Sequence, residues 1–366
     1  MPTNKIDKIL YVPDEVLFPG ETLQEALEER DMSQAEFAQR INRHPKTINE
    51  IIKGKAPITQ EMALQFEQVL NIPASFWNTA ESNHREMVAR INARNRYKKL
   101  VDEARKYPYN EMAKNGWVEN VKDPVDRVTN LLSFFGTTTF DNILEKRAFR
   151  VSVKQSQSLP AMTAWLRQGT IDGKTIETKE FDEKKLKSSL TDLRTLTLEE
   201  DPNDMMNKIG SILSECGVAF VLTKNIPKAP ISGSTRRISS SKFLIQMSIK
   251  YSDSDRFWFS LFHEIGHILL GNKKDFSVDL KKDQPTEEIE KKSDKFAEDT
   301  LIPPETYEKF VSYLRKEDSY SIVYPACKKF AQQIEIHPGI VLGRLQNDEI
   351  IPRNMNKLKT RLKWAE

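Results

Sequence analysis

The 366-residue sequence has only two cysteines, Cys216 and Cys327. That excludes a disulfide framework and a cysteine zinc cage. No stretch approaches the roughly 20 apolar residues of a membrane span, so no membrane partner is expected. The N-terminal run Met1-Pro2-Thr3-Asn4-Lys5-Ile6-Asp7 lacks the apolar segment of a secretory signal. A cytoplasmic location is the simplest expectation. Charge of one sign is also scarce in excess: 56 Lys+Arg against 53 Asp+Glu leave a net +3. So small a surplus neither demands nor excludes nucleic acid, and charge has to be read locally. Internal repeats and low-complexity tracts are absent.

What is present falls into three parts. Residues 1–98 read as a short arm ending in Phe18-Pro19-Gly20, followed by a dense run of short helices. Ser33 with Glu36 forms a capping box ahead of Phe37, Ala38 and Ile41. Pro45 suits the first position of the next helix, which carries Ile48, Ile51 and Ile52. Thr59 caps a fourth helix, and a longer one starts at Ala74. Residues 99–204 form a charged, mostly helical connecting region, with turn signals at Pro108, Gly116, Gly136 and Gly169-Thr170-Ile171-Asp172-Gly173. Trp165-Leu166-Arg167 there reads as core. Residues 205–366 change texture: 217–222 and 243–248 read as strands, Pro230 to Arg236 between them as a loop or irregular edge strand, and 256–271 and 287–301 as helices. The fold class is therefore multi-domain, with an all-α N-terminal domain, a helical middle region and an α+β C-terminal domain.

Two histidines and a glutamate share one predicted helix, in His263-Glu264-Ile265-Gly266-His267. Residues four apart lie on one helical face, so both imidazoles can reach one metal ion. Glu264, about 100° around the helix, can reach a water at that metal instead. A catalytic zinc (Zn2+) takes three protein ligands and keeps one position open. Glu290 and Asp294 share a face of the next helix, so either can be the third ligand while the other orients a histidine; Glu287 and Glu288 are competitors.

The run His263 to His267, followed by Glu290-Lys291-Lys292-Ser293-Asp294, resembles the gluzincin pattern. Together with Phe257-Trp258-Phe259, Leu301-Ile302-Pro303 and Ile336 to Gln346, it resembles the ImmA/IrrE family of bacterial metallopeptidases over about residues 205–352. The resemblance implies a zincin-like α+β fold, zinc on His263, His267 and Glu290, Asp294 supporting a histidine, and hydrolysis of a protein substrate with Glu264 as general base. Lys292 and Ser293 depart from the family's usual acidic residue and alanine, and neither is expected to touch the ligands. His337, before Pro338, has two readings: an oxyanion stabiliser or a helix-start residue. Ser232 and Gly233 resemble the family's strand-edge segment and either pair with an extended substrate or form a surface loop.

In the first part, two short helices joined by a tight turn have the size of a DNA-binding helix-turn-helix. Arg43, Lys46, Lys53 and Lys55 cluster around the second. The run from Phe18 through Ser33-Gln34-Ala35-Glu36-Phe37-Ala38 and Lys46 to Lys55, ending at Phe76-Trp77, resembles the HigA/VapI antitoxin branch of the XRE family over residues 17–98. By position Gln34, Lys53 and Lys55 face phosphates of a double-stranded DNA operator, and Arg43, His44, Lys46, Thr47 and Asn49 face base edges. The resemblance implies a homodimer, with Ile72, Phe76 and Trp77 as interface or core. It implies a bacterial or phage-encoded regulator, antitoxin-like, whose peptidase substrate is a repressor, a cognate toxin or the protein itself. Two alternatives stand: a non-proteolytic antitoxin whose zincin domain is structural, sensory or toxin-binding, and a non-peptidase zinc hydrolase.

Overall fold

The computed structural model describes residues 18–143, 159–229, 231–248, 253–271, 287–316 and 320–362. Residues 1–17 of the expected arm and Pro230 lie outside them, whereas the arm's last two residues, Pro19 and Gly20, open a helix. The chain forms two compact units, residues 1–101 and 102–366.

Among the described residues the first unit forms five helices: α1 (Pro19–Glu28), α2 (Gln34–Arg40), α3 (Pro45–Ile52), α4 (Gln60–Leu70) and α5 (Ala74–Lys98). Their starts follow local chemistry. The Ser33 hydroxyl accepts the Glu36 N–H at 3.1 Å, and the Thr59 hydroxyl accepts that of Met62 at 3.2 Å. The expected capping box is half made, because the Glu36 carboxylate turns to Arg40. Leu23, Phe37, Ile48, Phe66 and Trp77 are fully buried, with the Phe66 ring set edge-on between Phe37 and Trp77. Trp77 is thus core, whereas its neighbour Phe76 is 45% exposed and Ile72 packs against the core edge. Gly20 lets α1 touch α3: a Cβ there would lie 2.2 Å from the Ile51 carbonyl oxygen.

After a four-residue helical turn at the boundary, Val101–Ala104, the second unit has α6 (Tyr109–Lys114) and α7 (Pro124–Phe135) and continues with α8 (Leu159–Thr175), α9 (Glu183–Ser188), α10 (Leu190–Thr195) and α11 (Pro202–Glu215). Three strands follow, β1 (Val218–Leu222), β2 (Gly233–Ser239) and β3 (Lys242–Met247), in the order β1-β3-β2. β3 pairs parallel with β1 and antiparallel with β2. Of the segment read as a loop or irregular edge strand, Gly233 to Arg236 lies in a seven-residue strand on the sheet edge that runs on to Ser239. Then come α12 (Ser254–Leu270), α13 (Glu287–Leu301), α14 (Pro304–Leu314), α15 (Val323–Gln333) and α16 (Pro338–Asn347).

Side-chain alternation gives the sheet two buried faces. Val218, Phe220, Phe243, Ile245 and Met247 enter the large core with Phe257, Leu261, Phe262 and Ile265 of α12. Ala219, Val221 and Leu244 face the other way, where α8 lies. The expected turn at Gly169 to Gly173 is helix instead. The two glycines are four apart on one face of α8, and a Cβ would meet Gln246 at 2.0 Å from Gly169 and Leu244 at 2.7 Å from Gly173. Packing against β3 selects glycine there, not a bend. Gln246, fully buried, donates to the Trp165 carbonyl (2.7 Å) and the Thr223 hydroxyl (2.9 Å). Arg236 reaches back from β2 to the Leu166 carbonyl at 2.6 Å. Trp165 is core, as its apolar setting suggests. Farther along, Arg194 donates to the last carbonyls of two helical stretches, Leu301 at 2.9 Å and Ile334 at 2.6 Å. Residues of the 102–204 stretch thus share the core of the C-terminal elements. Among the described residues no helix is long and apolar enough to cross a membrane.

Candidate metal centre and nucleic-acid face

Helix α12 is buried along Trp258, Leu261, Phe262, Ile265 and Ile268, which turns His263 and His267 toward α13. The helices cross closely at Gly266, where a Cβ would sit 3.1 Å from the Phe296 ring and 3.2 Å from the Ser293 Cα. A Cβ between the two histidines would require this crossing to give by a few tenths of an ångström.

The crossing brings His263, His267 and Glu290 together, with one ligand atom from each within 4.8 Å of the others. Glu290 Oε2 lies 3.3 Å from His263 Nε2, and Oε1 lies 3.6 Å from His267 Nε2. Asp294 stands on the outer side of His263, with Oδ1 2.8 Å from Nδ1. Of the four acidic candidates on α13, Glu290 joins the histidines. Glu287 and Glu288 pair with Lys291 and Lys292.

The two Nε2 atoms are 2.9 Å apart. Each Nδ1 faces an oxygen, Asp294 for His263 and Ser293 Oγ for His267 (3.3 Å), and both Nε2 atoms border one space that also holds a carboxylate. A cation placed there, a proton or a metal, would bridge these groups. The donor chemistry, two imidazoles and a carboxylate, fits zinc. The expectation that Ser293 stays clear of the ligands is corrected by this contact.

Electrostatics follow the same geometry. Hydrogen bonds from His263 and His267 pull the Glu290 pKa down to about 2. Burial works against charge on His263, but the hydrogen bond to Glu290 and the charges of Glu264, Asp294 and Glu290 outweigh it and raise its pKa. Glu264 is only 7% exposed, and burial pushes its carboxyl pKa up despite the nearby histidines. It sits apart from the ligand group, against β2: a Cβ on Gly233 would lie 2.7 Å from its Oε1. The Thr235 hydroxyl fixes the main chain there by donating to the Glu264 carbonyl at 3.0 Å. Ser232 precedes the strand, its carbonyl accepting the Ser248 N–H at 2.8 Å.

His337 is placed otherwise. It caps α16, its Nδ1 accepting the Gly339 N–H at 3.1 Å, and its Nε2 lies 3.2 Å from the Thr360 hydroxyl. Burial lowers its pKa, against the charge of Asp255. Both ring nitrogens are engaged at the helix start, which favours the helix-start reading over the oxyanion one.

On the first unit, Lys46, Lys53, Lys55 and His44 are exposed, and Gln34, Thr47 and Asn49 half-buried. Asn49 Nδ2 donates to Gln34 Oε1 at 3.3 Å, joining α2 and α3. His44 Nδ1 caps α3 by accepting the Lys46 N–H at 3.1 Å. Arg43 departs from the expected base-facing set. Its guanidinium is tied to α4, through Glu61 at 2.6 Å and Gln65 at 3.2 Å.

These features define a helix-turn-helix module and an α+β domain with a two-histidine, one-glutamate centre. Residues 23–77 match the helix-turn-helix family model, and residues 229–345 match the IrrE N-terminal-like domain of peptidase family M78. The chain thus joins an XRE-type helix-turn-helix to an ImmA/IrrE-like domain. A described relative, the uncharacterized HTH-type transcriptional regulator YddM of Escherichia coli K12, is 36% identical over 59 residues. That match spans 16% of this chain and 63% of YddM, less than two thirds of its length. Among solved structures, Pseudomonas aeruginosa antitoxin HigA with the higBA promoter is 29% identical, covering 20% of this chain and 83% of that one, with a TM-score of 0.20.

Proposed function

We propose that this protein is a cytoplasmic DNA-binding transcriptional regulator, antitoxin-like, whose C-terminal domain is a zinc-dependent endopeptidase. The observation that carries the enzymatic half is the group formed by His263, His267 and Glu290, with the buried Glu264 beside it and the sheet edge alongside. His263, His267 and Glu290 would hold the zinc, which would supply Lewis-acid chemistry for peptide hydrolysis. Glu264 takes the water's proton and passes it to the leaving amine, a task suited to a carboxyl whose pKa burial has raised. The β2 edge near Ser232 and Gly233 offers main-chain groups to an extended substrate segment. The substrate is a repressor, a toxin or a second copy of this chain. In the first unit, Lys46, Lys53 and Lys55 engage the DNA backbone, and Gln34, Thr47 and Asn49 the groove, in a homodimer on two half-sites.

The test takes purified protein, its own promoter DNA and the co-expressed products of neighbouring genes. One zinc per chain, cleavage of one of those products and a promoter gel shift are the expected results. Zinc without cleavage of any product would favour the non-proteolytic antitoxin, and absence of zinc would sink the metal reading. Lys53→Ala is expected to weaken binding to all sequences alike and to reduce the salt slope by about one.

Acid should release the metal. Ligation needs an unprotonated Nε2 on His263, whose neighbours hold its pKa above the ordinary 6.5. Zinc affinity, measured by chelator competition, is expected to be level above that raised pKa. Below it the affinity should fall by roughly tenfold per pH unit for each proton displaced.

A further inference from the structure

The two histidines are supported differently. His263 has a carboxylate at its outer nitrogen, Asp294 at 2.8 Å. At the same place on His267 stands a neutral hydroxyl, Ser293 Oγ at 3.3 Å from Nδ1. Ser293 is completely buried, in the helix crossing where the missing Cβ of Gly266 would come within 3.3 Å of its own Cβ. Helix α13 thus delivers three groups from one face: Glu290 between the imidazoles, Ser293 three residues on behind His267, and Asp294 four residues on behind His263.

We propose that Ser293 is the positioning residue for His267. Its hydroxyl oxygen accepts the Nδ1–H, which selects the tautomer with a lone pair on Nε2 and holds the ring turned toward His263 and Glu290. The inference rests on the metal reading above. It differs from the role of Asp294 in kind as well as place: a hydroxyl orients a ring without adding a negative charge to the centre. Burial strengthens the contact, because the Ser293 side chain is withdrawn from bulk water. Without the hydroxyl, the His267 ring is free to choose either tautomer and to rotate about its Cβ–Cγ bond.

The experiment uses the full chain as wild type, Ser293→Ala and Asp294→Ala. Zinc affinity is measured by chelator competition, the visible spectrum after cobalt substitution, and the imidazole nitrogen resonances of metal-free protein by NMR. Ser293→Ala is expected to bind zinc about 10-fold to 100-fold more weakly and to shift the cobalt d–d bands. It should also move His267 from the Nδ1–H form toward a tautomer mixture. A change of packing alone would leave the tautomer untouched. Wild-type-like zinc affinity, cobalt bands and tautomer in Ser293→Ala would overturn the role of Ser293 while leaving the metal centre intact. A wild type that binds neither zinc nor cobalt would overturn the centre and this role together. Thermal melting of the metal-free forms checks that Ser293→Ala folds; if it melts early, the NMR tautomer measured below its transition decides.

Discussion

Glu264→Gln should reduce peptide hydrolysis by at least about 100-fold while the protein keeps its zinc. The amide has the shape of the carboxylate, so the close contact with Gly233 survives. It cannot accept the water's proton. The ligand group does not include Glu264, so metal content should stay at the wild-type level. Stability should not fall, because burial already disfavours the charged carboxylate and an amide in its place carries no such penalty. Single-turnover cleavage, elemental analysis and melting of the same sample test all three parts. Cleavage at the wild-type rate would remove Glu264 from the reaction. Loss of zinc would mean that the glutamate holds the metal or its scaffold.

Gly20→Ala should disable the first unit. The added Cβ would sit 2.2 Å from the Ile51 carbonyl oxygen and 2.8 Å from the Ile52 Cα. Those are backbone atoms in α3, the helix assigned to the groove, and they cannot swing aside as a side chain would. Relief requires α1 to lift, which uncovers Leu23 and Leu27 from a core they fill. The expected cost is on the order of 3 kcal/mol, enough to abolish the promoter gel shift and lower the first melting transition. Zinc binding, assigned to the other unit, should be unchanged. A Gly20→Ala protein with wild-type melting and DNA affinity would show that α1 and α3 do not meet this tightly.

Much of this was legible in the chain. The spacing of His263 and His267 predicts one helical face, and the helix is there. Ser33, Pro45 and Thr59 mark three helix starts because capping is local chemistry, readable within four residues. What was hidden depends on partners far away in the sequence. Gly233 to Ser239 is short of apolar residues, and only pairing with β3 and contact with α12 make it a strand. Gly169 and Gly173 look like a turn until the side chains of Gln246 and Leu244 occupy the space beside them. Arg43 reads as a DNA contact by charge, but its partners Glu61 and Gln65 lie on another helix. Ser293 reads as a departure from the family's alanine that stays clear of the ligands, yet a clue was available in its spacing, three residues after Glu290 and next to Asp294.

The fit of α8 against β3 also bears on dissection of the protein. A fragment begun at β1 would strip α8 away and turn Ala219, Val221 and Leu244 out to water. It would also leave the Gln246 amide without the Trp165 carbonyl and Arg236 without that of Leu166. An unprotected apolar sheet surface of that kind invites self-association. The smallest well-behaved fragment that keeps the His263, His267 and Glu290 group therefore has to include α8 and begin no later than Leu159.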